Sequence, residues 1–495
     1  MHAIRLLHKF LKKAGVIKHE KRLTSLLSSI GGLLNGAKLS LTSIGRHMGG
    51  PAKVKHKIKS SYNLLTNGKL HAERFDIYAA LSESLLYGKF KIDILVDWSP
   101  CIHHDNQILK ASVVLRGKTM TLYEEVHPEA KLGNYEIHKL FLKKLKLIVP
   151  GNIKVTVMTD AGFRTEWFNL VKKMGWDFTG RVRSNMCYQR IGEDLWTACA
   201  EEHPLATNTP VYRGEVLLSK ENELPCYMYL YKGLKDKSTP KGFNLLLASI
   251  PGALEPDRMP KDKPILIKNN HKYFIYGKPE GKQWKFTELG PHIIDKMGLS
   301  FPKENTIETM HYHKAHKKLY DHIASKKGHV SIKKKKSSGV DKKHQKSAND
   351  PWLIVSSHGP APAHRNYDNI SNTKEQKDVA LTIIKQYAKR MKIEHEFRST
   401  KSPQYGIGLS YSRSMDPNSL QMLLLIGQLH LFLLWLIGLA TEYDKKQYDY
   451  QANTVKTHRV LSLVFLGMQV ILHDIERITE DMLMNALAWG RTDDQ

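Results

Sequence analysis

The spacing of apolar positions changes near residue 90. Before it the spacing is helical. Residues 21–34 form one amphipathic stretch, and residues 39–48 (LSLTSIGRHM) begin a shorter one that Gly49, Gly50 and Pro51 end. After it the pattern becomes that of strands. Residues 90–97 (FKIDILVD), 108–115 and 119–126 read as three strands, with a turn at Gly117 and Lys118. Residues 134–148 read as an amphipathic helix, 154–160 (KVTVMTD) as a fourth strand, 164–174 as a helix and 176–182 as a fifth strand. The first and fourth strands each run into an acid, Asp97 and Asp160.

Three strands, helix, strand, helix, strand is the order of a ribonuclease-H-like core. In that fold the first and fourth strands lie side by side, so the two acids would meet at one edge of the sheet. The expected class is therefore α/β, with a mixed-sheet catalytic core whose first part spans 86–184. An α-helical N-terminal domain (1–85) precedes it. Residues 185–360 interrupt the core as a β-rich insertion domain. Within it, 243–330 read as an extra module, with a three-strand meander at 264–268 (PILIK), 272–277 (KYFIYG) and 283–289 (QWKFTEL) and helices at 291–298 and 312–326. A basic, apolar-poor linker at 333–346 follows, and 352–356 (WLIVS) resumes strand character. Residues 361–415 return to the core, and 416–495 form a helical C-terminal region expected to carry dimer or synapsis contacts. Residues 422–439 (MLLLIGQLHLFLLWLIGL) have membrane-span length, but Gln428 and His430 interrupt them, and a helix buried in a large core is the preferred reading.

Charge narrows the partners. The formal net charge is +28, distributed along most of the chain, which points to a polyanion and first to nucleic acid. Lys53, Lys55, Lys57 and Lys59 concentrate that charge in the N-terminal domain (KVKHKIK) and are candidate DNA contacts; a solvated helical bundle would carry the same pattern. Cys101, Cys187, Cys199 and Cys226 form no CxxC pair, which disfavours a zinc ribbon or a disulfide scaffold. The amphipathic start (MHAIRLLHKFLKKAG) lacks the apolar core of a signal peptide. His311, His313 and His316 read as polar surface before they read as a transition-metal site.

The most specific chemistry lies before Pro403. Tyr387, Arg390, Glu394 and Lys401 project within about 60° of one another on a helix. One face then offers a carboxylate between cations and a phenol. The carboxylate could bind a metal, and the other three could grip phosphates. Phosphodiester transfer develops negative charge on both the attacking and the leaving oxygen, which two magnesium ions can stabilise. Magnesium prefers oxygen ligands, hence Asp97 bridging two ions with Asp160 and Glu394 on either side. Manganese could substitute.

Seven segments, in order, make the chain similar to a known family: LVDWS (95–99), ASVVLRGKTMTLYE (111–124), TDAGFRTEWF (159–168), GRVRSN (180–185), DPWLIVSS (350–357), YAKRMKIEHEFRSTKSPQYGIGL (387–409) and QANTVKTHRVLSLVFLGMQV (451–470). They resemble the bacterial cut-and-paste insertion-sequence transposases of the IS-four group, in particular its transposon-ten branch. The likeness covers roughly 1–232 and 347–485. It implies DDE catalysis by Asp97, Asp160 and Glu394 on metal ions, with Tyr387, Arg390 and Lys401 as DNA-gripping partners. It implies phosphate contacts at Arg181 and Arg183. Trp352 matches a tryptophan that stacks on a flipped base, though it also reads as a core residue opening a strand. The resemblance further implies binding of double-stranded terminal inverted repeats and target DNA, hairpin formation and strand transfer in a homodimer, in the bacterial cytoplasm at the nucleoid. The family offers no counterpart for 243–330. A catalytically inactive DNA-binding derivative and a stand-alone metal-dependent nuclease are the competing readings.

Overall fold

The computed structural model describes residues 2–101, 105–232, 265–269, 272–276, 287–289, 350–361, 372–402, 406–452, 454–455, 457–473 and 477–491. The expected helices at 291–298 and 312–326, the linker at 333–346 and the three clustered histidines lie outside these residues. The chain forms two compact units, Met1–Lys232 with Pro351–Gln495, and Gly233–Asp350.

In the larger unit, five helices come first: α1 (His2–Lys13), α2 (Glu20–Leu34), α3 (Leu41–His47), α4 (Val54–Leu65) and α5 (Gly68–Leu86). Then follow β1 (Lys91–Pro100), β2 (Asn106–Leu115), β3 (Lys118–Pro128), α6 (Tyr135–Ile148), β4 (Lys154–Thr159), α7 (Thr165–Lys173) and β5 (Asp177–Arg181). β1 is central. It pairs antiparallel with β2 and parallel with β4, and β4 pairs parallel with β5. The sheet order begins β3-β2-β1-β4-β5, a mixed arrangement compatible with a ribonuclease-H-like core. Ile92, Ile94, Leu95 and Val96 of β1 are buried, as expected of a strand with neighbours on both edges and cover on its faces.

The sheet does not stop at β5. β6 (Cys187–Arg190), β7 (Trp196–Ala198), β8 (Val211–Leu218), β9 (Leu224–Tyr231) and β13 (Trp352–Ser356) extend it to ten strands. β13 joins the halves: Ile354 pairs with Arg181 of β5 on one side and with Tyr229 of β9 on the other. After β13 come α8 (Lys374–Ala388), a 3₁₀ turn at Lys389–Met391 and α9 (Lys392–Lys401). A capping box, in which Thr373 and Gln376 bond each other's backbone N–H, starts α8. The smaller unit contains a three-stranded antiparallel sheet of β10 (Ile265–Asn269), β11 (Lys272–Tyr276) and β12 (Thr287–Leu289), in that order.

The apolar segment at 422–439 lies within α10 (Pro417–Tyr443), whose Met422–Thr441 stretch is buried on all sides. A helix apolar all round belongs in a core. α2, α11 (Leu463–His473) and α12 (Glu480–Gly490) pack on it, as does β3. Asp416 caps its start through the Ser419 N–H at 2.8 Å. Burial drives His430 down to about 3, so it sits in this core as a neutral ring. α10 crosses α11 glycine to glycine. A Cβ on Gly438 would stand 2.0 Å from the Leu463 carbonyl oxygen, and one on Gly467 2.0 Å from that of Leu434. Backbone on both sides leaves no room to adjust. Gly438→Ala should therefore destabilise the protein by at least the ~1–3 kcal/mol of an overpacked core, read as a lower thermal midpoint; an unchanged midpoint would show that the helices separate freely.

Candidate active site

The parallel pairing of β1 and β4 sets the site. The register runs Lys91 to Lys154 through Leu95 to Met158. Two residues further along it, Asp97 stands opposite Asp160. Adjacent strands lie about 4.8 Å apart, so the two carboxylates share one end of the sheet. β1 does not end at Asp97, because β2 keeps pairing with it through Trp98, Ser99 and Pro100. Asp160 follows the last residue of β4, and its Oδ1 accepts the Gly162 N–H at 2.8 Å. A Cβ at 162 would lie 2.9 Å from the same oxygen, so a larger residue there would push the Asp160 carboxylate aside.

Glu394 arrives from α9. The helix expected over 387–401 is broken by the 3₁₀ turn at 389–391, and that turn carries Arg390 into the site. The buried Arg390 guanidinium bridges two of the acids: Nη1 to Asp97 Oδ2 at 3.4 Å and Nη2 to Glu394 Oε1 at 3.3 Å. Its Nε is buried with no acceptor among the described residues. The side chain of Asp97 is 15% exposed and that of Glu394 52%, so the site grades from a buried acid to an open one.

Electrostatics follow from this crowding. Burial, then the charge of Asp160 and to a smaller degree Glu394, pushes Asp97 up to about 7 against the pull of Arg390. Burial pushes the Tyr387 hydroxyl up to about 12, with Arg390 and Arg181 opposing and Asp160 reinforcing. Arg390 is raised: burial works against its charge, but Tyr387, Asp97, Asp160 and Glu394 outweigh burial. Lys401 donates to Ser99 Oγ at 2.5 Å and to the Pro100 carbonyl at 2.6 Å. Burial and Lys110 bring it down to about 8, while Cys101 and Asp97 resist. Asp97, Ser99, Glu394 and Lys401 line one open hollow of ≈ 360 Å³.

Other expected contacts are arranged around this centre. Trp352 is half-buried and packs edge-on against Tyr387, with ring centroids 5.3 Å apart. Arg183 donates from Nε to the Ala161 carbonyl at 2.6 Å, tying the end of β5 to the turn after Asp160. Lys53, Lys55 and Lys59 are exposed and Lys57 partly so, at the start and along α4. Among the described residues no three His, Cys, Asp or Glu side chains are gathered closely enough to hold a metal ion as they stand. Arg390 lies between Asp97 and Glu394, where a cation would balance them.

The sequence pattern did not single out the residues that fix these groups. Glu396 of α9 is fully buried and takes the Lys118 ammonium at 2.7 Å and the Thr121 hydroxyl at 3.4 Å, both from β3. Two residues from Glu394, it pins the helix to the sheet. Behind Asp97, the Trp98 Nε1–H donates to His138 Nε2 at 3.0 Å, and His138 stacks on Phe163, three residues beyond Asp160. Burial holds His138 down at about 4, so the ring stays neutral and can accept. No local signal separates these residues from surface charges and ordinary core.

Two outcomes follow. A folded-state Asp97 near 7, against an ordinary value of 3.8, costs no stability below the ordinary value. The penalty grows as pH rises through that window and is complete above 7. Asp97→Asn should raise the thermal midpoint at pH 8, with the gain shrinking toward pH 4; a gain that does not change with pH would contradict the assignment. Lys118→Met should cost about 3–5 kcal/mol by stranding the Glu396 carboxylate, and adding Glu396→Leu should restore most of the loss in denaturant titrations.

Comparison with known families places this geometry in context. Residues 304–429 match the family model of the transposase DDE domain, about a quarter of the chain, including Trp352, Tyr387, Arg390, Glu394 and Lys401. No curated protein matches the chain. DDE transposases use divalent metal ions and act on DNA, and the mixed ten-stranded sheet is compatible with their core. Over those residues the chain is similar to the DDE domain of transposases, which are phosphodiester-cleaving enzymes.

Proposed function

We propose that the protein is a cut-and-paste transposase of the IS-four group, with Asp97, Asp160 and Glu394 as its metal-holding carboxylates. The observation that carries this reading is the convergence of β1, the end of β4 and α9 on one end of the sheet. There Asp97 is driven up to about 7 by burial and by the two other acids. An all-oxygen donor set suits magnesium, with manganese as a substitute. Asp97, destabilised as an anion, is the carboxylate with most to gain from a nearby cation. When bound, such ions would stabilise charge on the attacking and leaving oxygens of the phosphodiester.

The chain's own groups supply the grip. Arg390 keeps an unused Nε–H donor and would turn its guanidinium from the carboxylates to a phosphate. Lys401, anchored at Ser99 and Pro100, sets a positive charge at the rim of the hollow. Tyr387 stays a neutral hydroxyl, and its position fixes Trp352, whose indole would stack on an unpaired base for about 1–3 kcal/mol. Arg181 and Arg183 would take phosphates on the Asp160 side. The lysines of α4 would hold the terminal inverted repeats. Nicking, hairpin closure, reopening and transfer to target DNA would follow in a homodimer at the bacterial nucleoid, in the cytoplasm.

The test is a labelled duplex taken from the DNA that borders the coding sequence, incubated with magnesium. The unmutated protein should nick it and form a hairpin. Asp97→Ala, Asp160→Ala and Glu394→Ala should each abolish both products, and Lys401→Ala should reduce them while sparing the fold. Tight binding without cleavage would favour an inactive DNA-binding derivative. Cleavage that survives Asp97→Ala would refute the site.

A further inference from the structure

We infer that a second DNA surface, separate from the carboxylates, lies at the start of β1: a lysine-lined groove for the backbone of a second duplex of arbitrary sequence, the DNA that receives the cut end. This rests on the transposase reading, since joining a cut end requires a second duplex near the first.

The groove, of ≈ 470 Å³, runs between the beginning of β1, the end of β2 and the α8–α9 segment. Lys89, Lys91, Lys385, Lys389 and Lys392 line it around a single carboxylate, Asp93. That acid already accepts the Gln386 amide at 2.6 Å and lies 3.7 Å from the Lys389 ammonium. Lys91, Lys385, Lys389 and Lys392 outnumber the one carboxylate among the described lining residues, which leaves a positive trough over a floor of aliphatic side chains from β1 and β2. Lys91, Lys385, Lys389 and Lys392 are exposed.

The groove is distinct from the reacting centre. Asp93 precedes Asp97 by four residues of β1, about 13 Å. Lys385, Lys389 and Lys392 recur at i, i+4 and i+7, which places them on one helix face. Glu394 and Lys401 of the same segment line the other hollow, with Asp97. The α8–α9 segment thus lines the carboxylate hollow with one set of side chains and the lysine groove with another. The kind of charge identifies the partner. Lysine ammonium groups are hydrated point charges that meet phosphates without a fixed planar geometry, and phosphate contacts carry no sequence information. Among the described residues no arginine or asparagine lines the groove, and its one amide is committed to Asp93. Such a surface suits DNA whose sequence is unspecified.

The test uses the full-length protein and a mixed-sequence duplex of about 30 base pairs, with affinity followed by fluorescence anisotropy from roughly 50 to 200 mM KCl. Each phosphate contact contributes about 0.9 to the slope of log affinity against log salt. The triple variant Lys385→Gln, Lys389→Gln, Lys392→Gln should therefore flatten the slope by about 2 to 3, and Lys389→Gln alone by about 1. A control of equal charge loss, Lys131→Gln, Lys143→Gln, Lys173→Gln, should leave it nearly unchanged. An unaltered slope in the groove variant, or an equal loss in the control, overturns the proposal. Its failure is separable from that of the catalytic reading. Magnesium-dependent cleavage with an unaltered slope removes the groove alone. A flattened slope without cleavage by the unmutated protein keeps the groove as a DNA surface and removes the transposase.

Discussion

The parallel register between β1 and β4 is the constraint on which the site depends. Strand side chains alternate between faces, so a slip of one residue would turn Asp97 away from Asp160 and exchange the side chains packed on the two covered faces of β1. Packing fills both faces of this register: Ile92, Ile94, Leu95, Val155, Val157 and Met158 are all buried in it. Hydrophobic burial thus places two like charges side by side. The Arg390 guanidinium offsets part of this repulsion, since it pairs with Asp97 and its charge also acts on Asp160. Functional sites commonly retain such unfavourable electrostatics, which a ligand then relieves.

The third acid is held by different means. Glu394 is half-exposed on a ten-residue helix, and little of its own side chain fixes it. The helix is fixed from beneath, by Ile393 and Phe397 in the core and by the Glu396–Lys118 pair. A buried ion pair adds little net stability compared with an apolar pair. It does select one rotation and one height of α9 against β3. On the other side, α8 packs Ile383, Ile384 and Tyr387 against Tyr212 and Tyr229 of the extended sheet. The strands beyond β5 therefore support the segment that delivers Arg390 and Glu394.

Much of the order of elements was legible because it is written in local periodicity. Strands β1 to β5 and the intervening helices stand within a few residues of their expected bounds, and α10 reads as a buried helix from its uniform apolarity. Three features were not legible, each for a physical reason. The extent of β1 past Asp97 depends on its partner β2, which a single strand's pattern does not contain. The break at 389–391 holds Arg390, which contacts a carboxylate on a distant strand that local periodicity does not contain. The junction of β13 with β5 links Ile354 to Arg181 across more than a hundred residues of intervening chain, so no local signal announces it. Of the site, the carboxylates and the Tyr387, Arg390, Lys401 face were chosen by residue type and spacing. Glu396 and His138 were not, because burial is what distinguishes them from ordinary polar residues.

On the proposed function, Asp97, Asp160 and Glu394 would hold cations where Arg390 now bridges Asp97 and Glu394. Crystals of the protein grown with manganese, measured at the manganese absorption edge, test it most directly. The account predicts an anomalous peak about 2.1 Å from a carboxylate oxygen of Asp97, with the Arg390 guanidinium withdrawn from that carboxylate. Manganese bound elsewhere, with Arg390 still bridging Asp97 and Glu394, would contradict it.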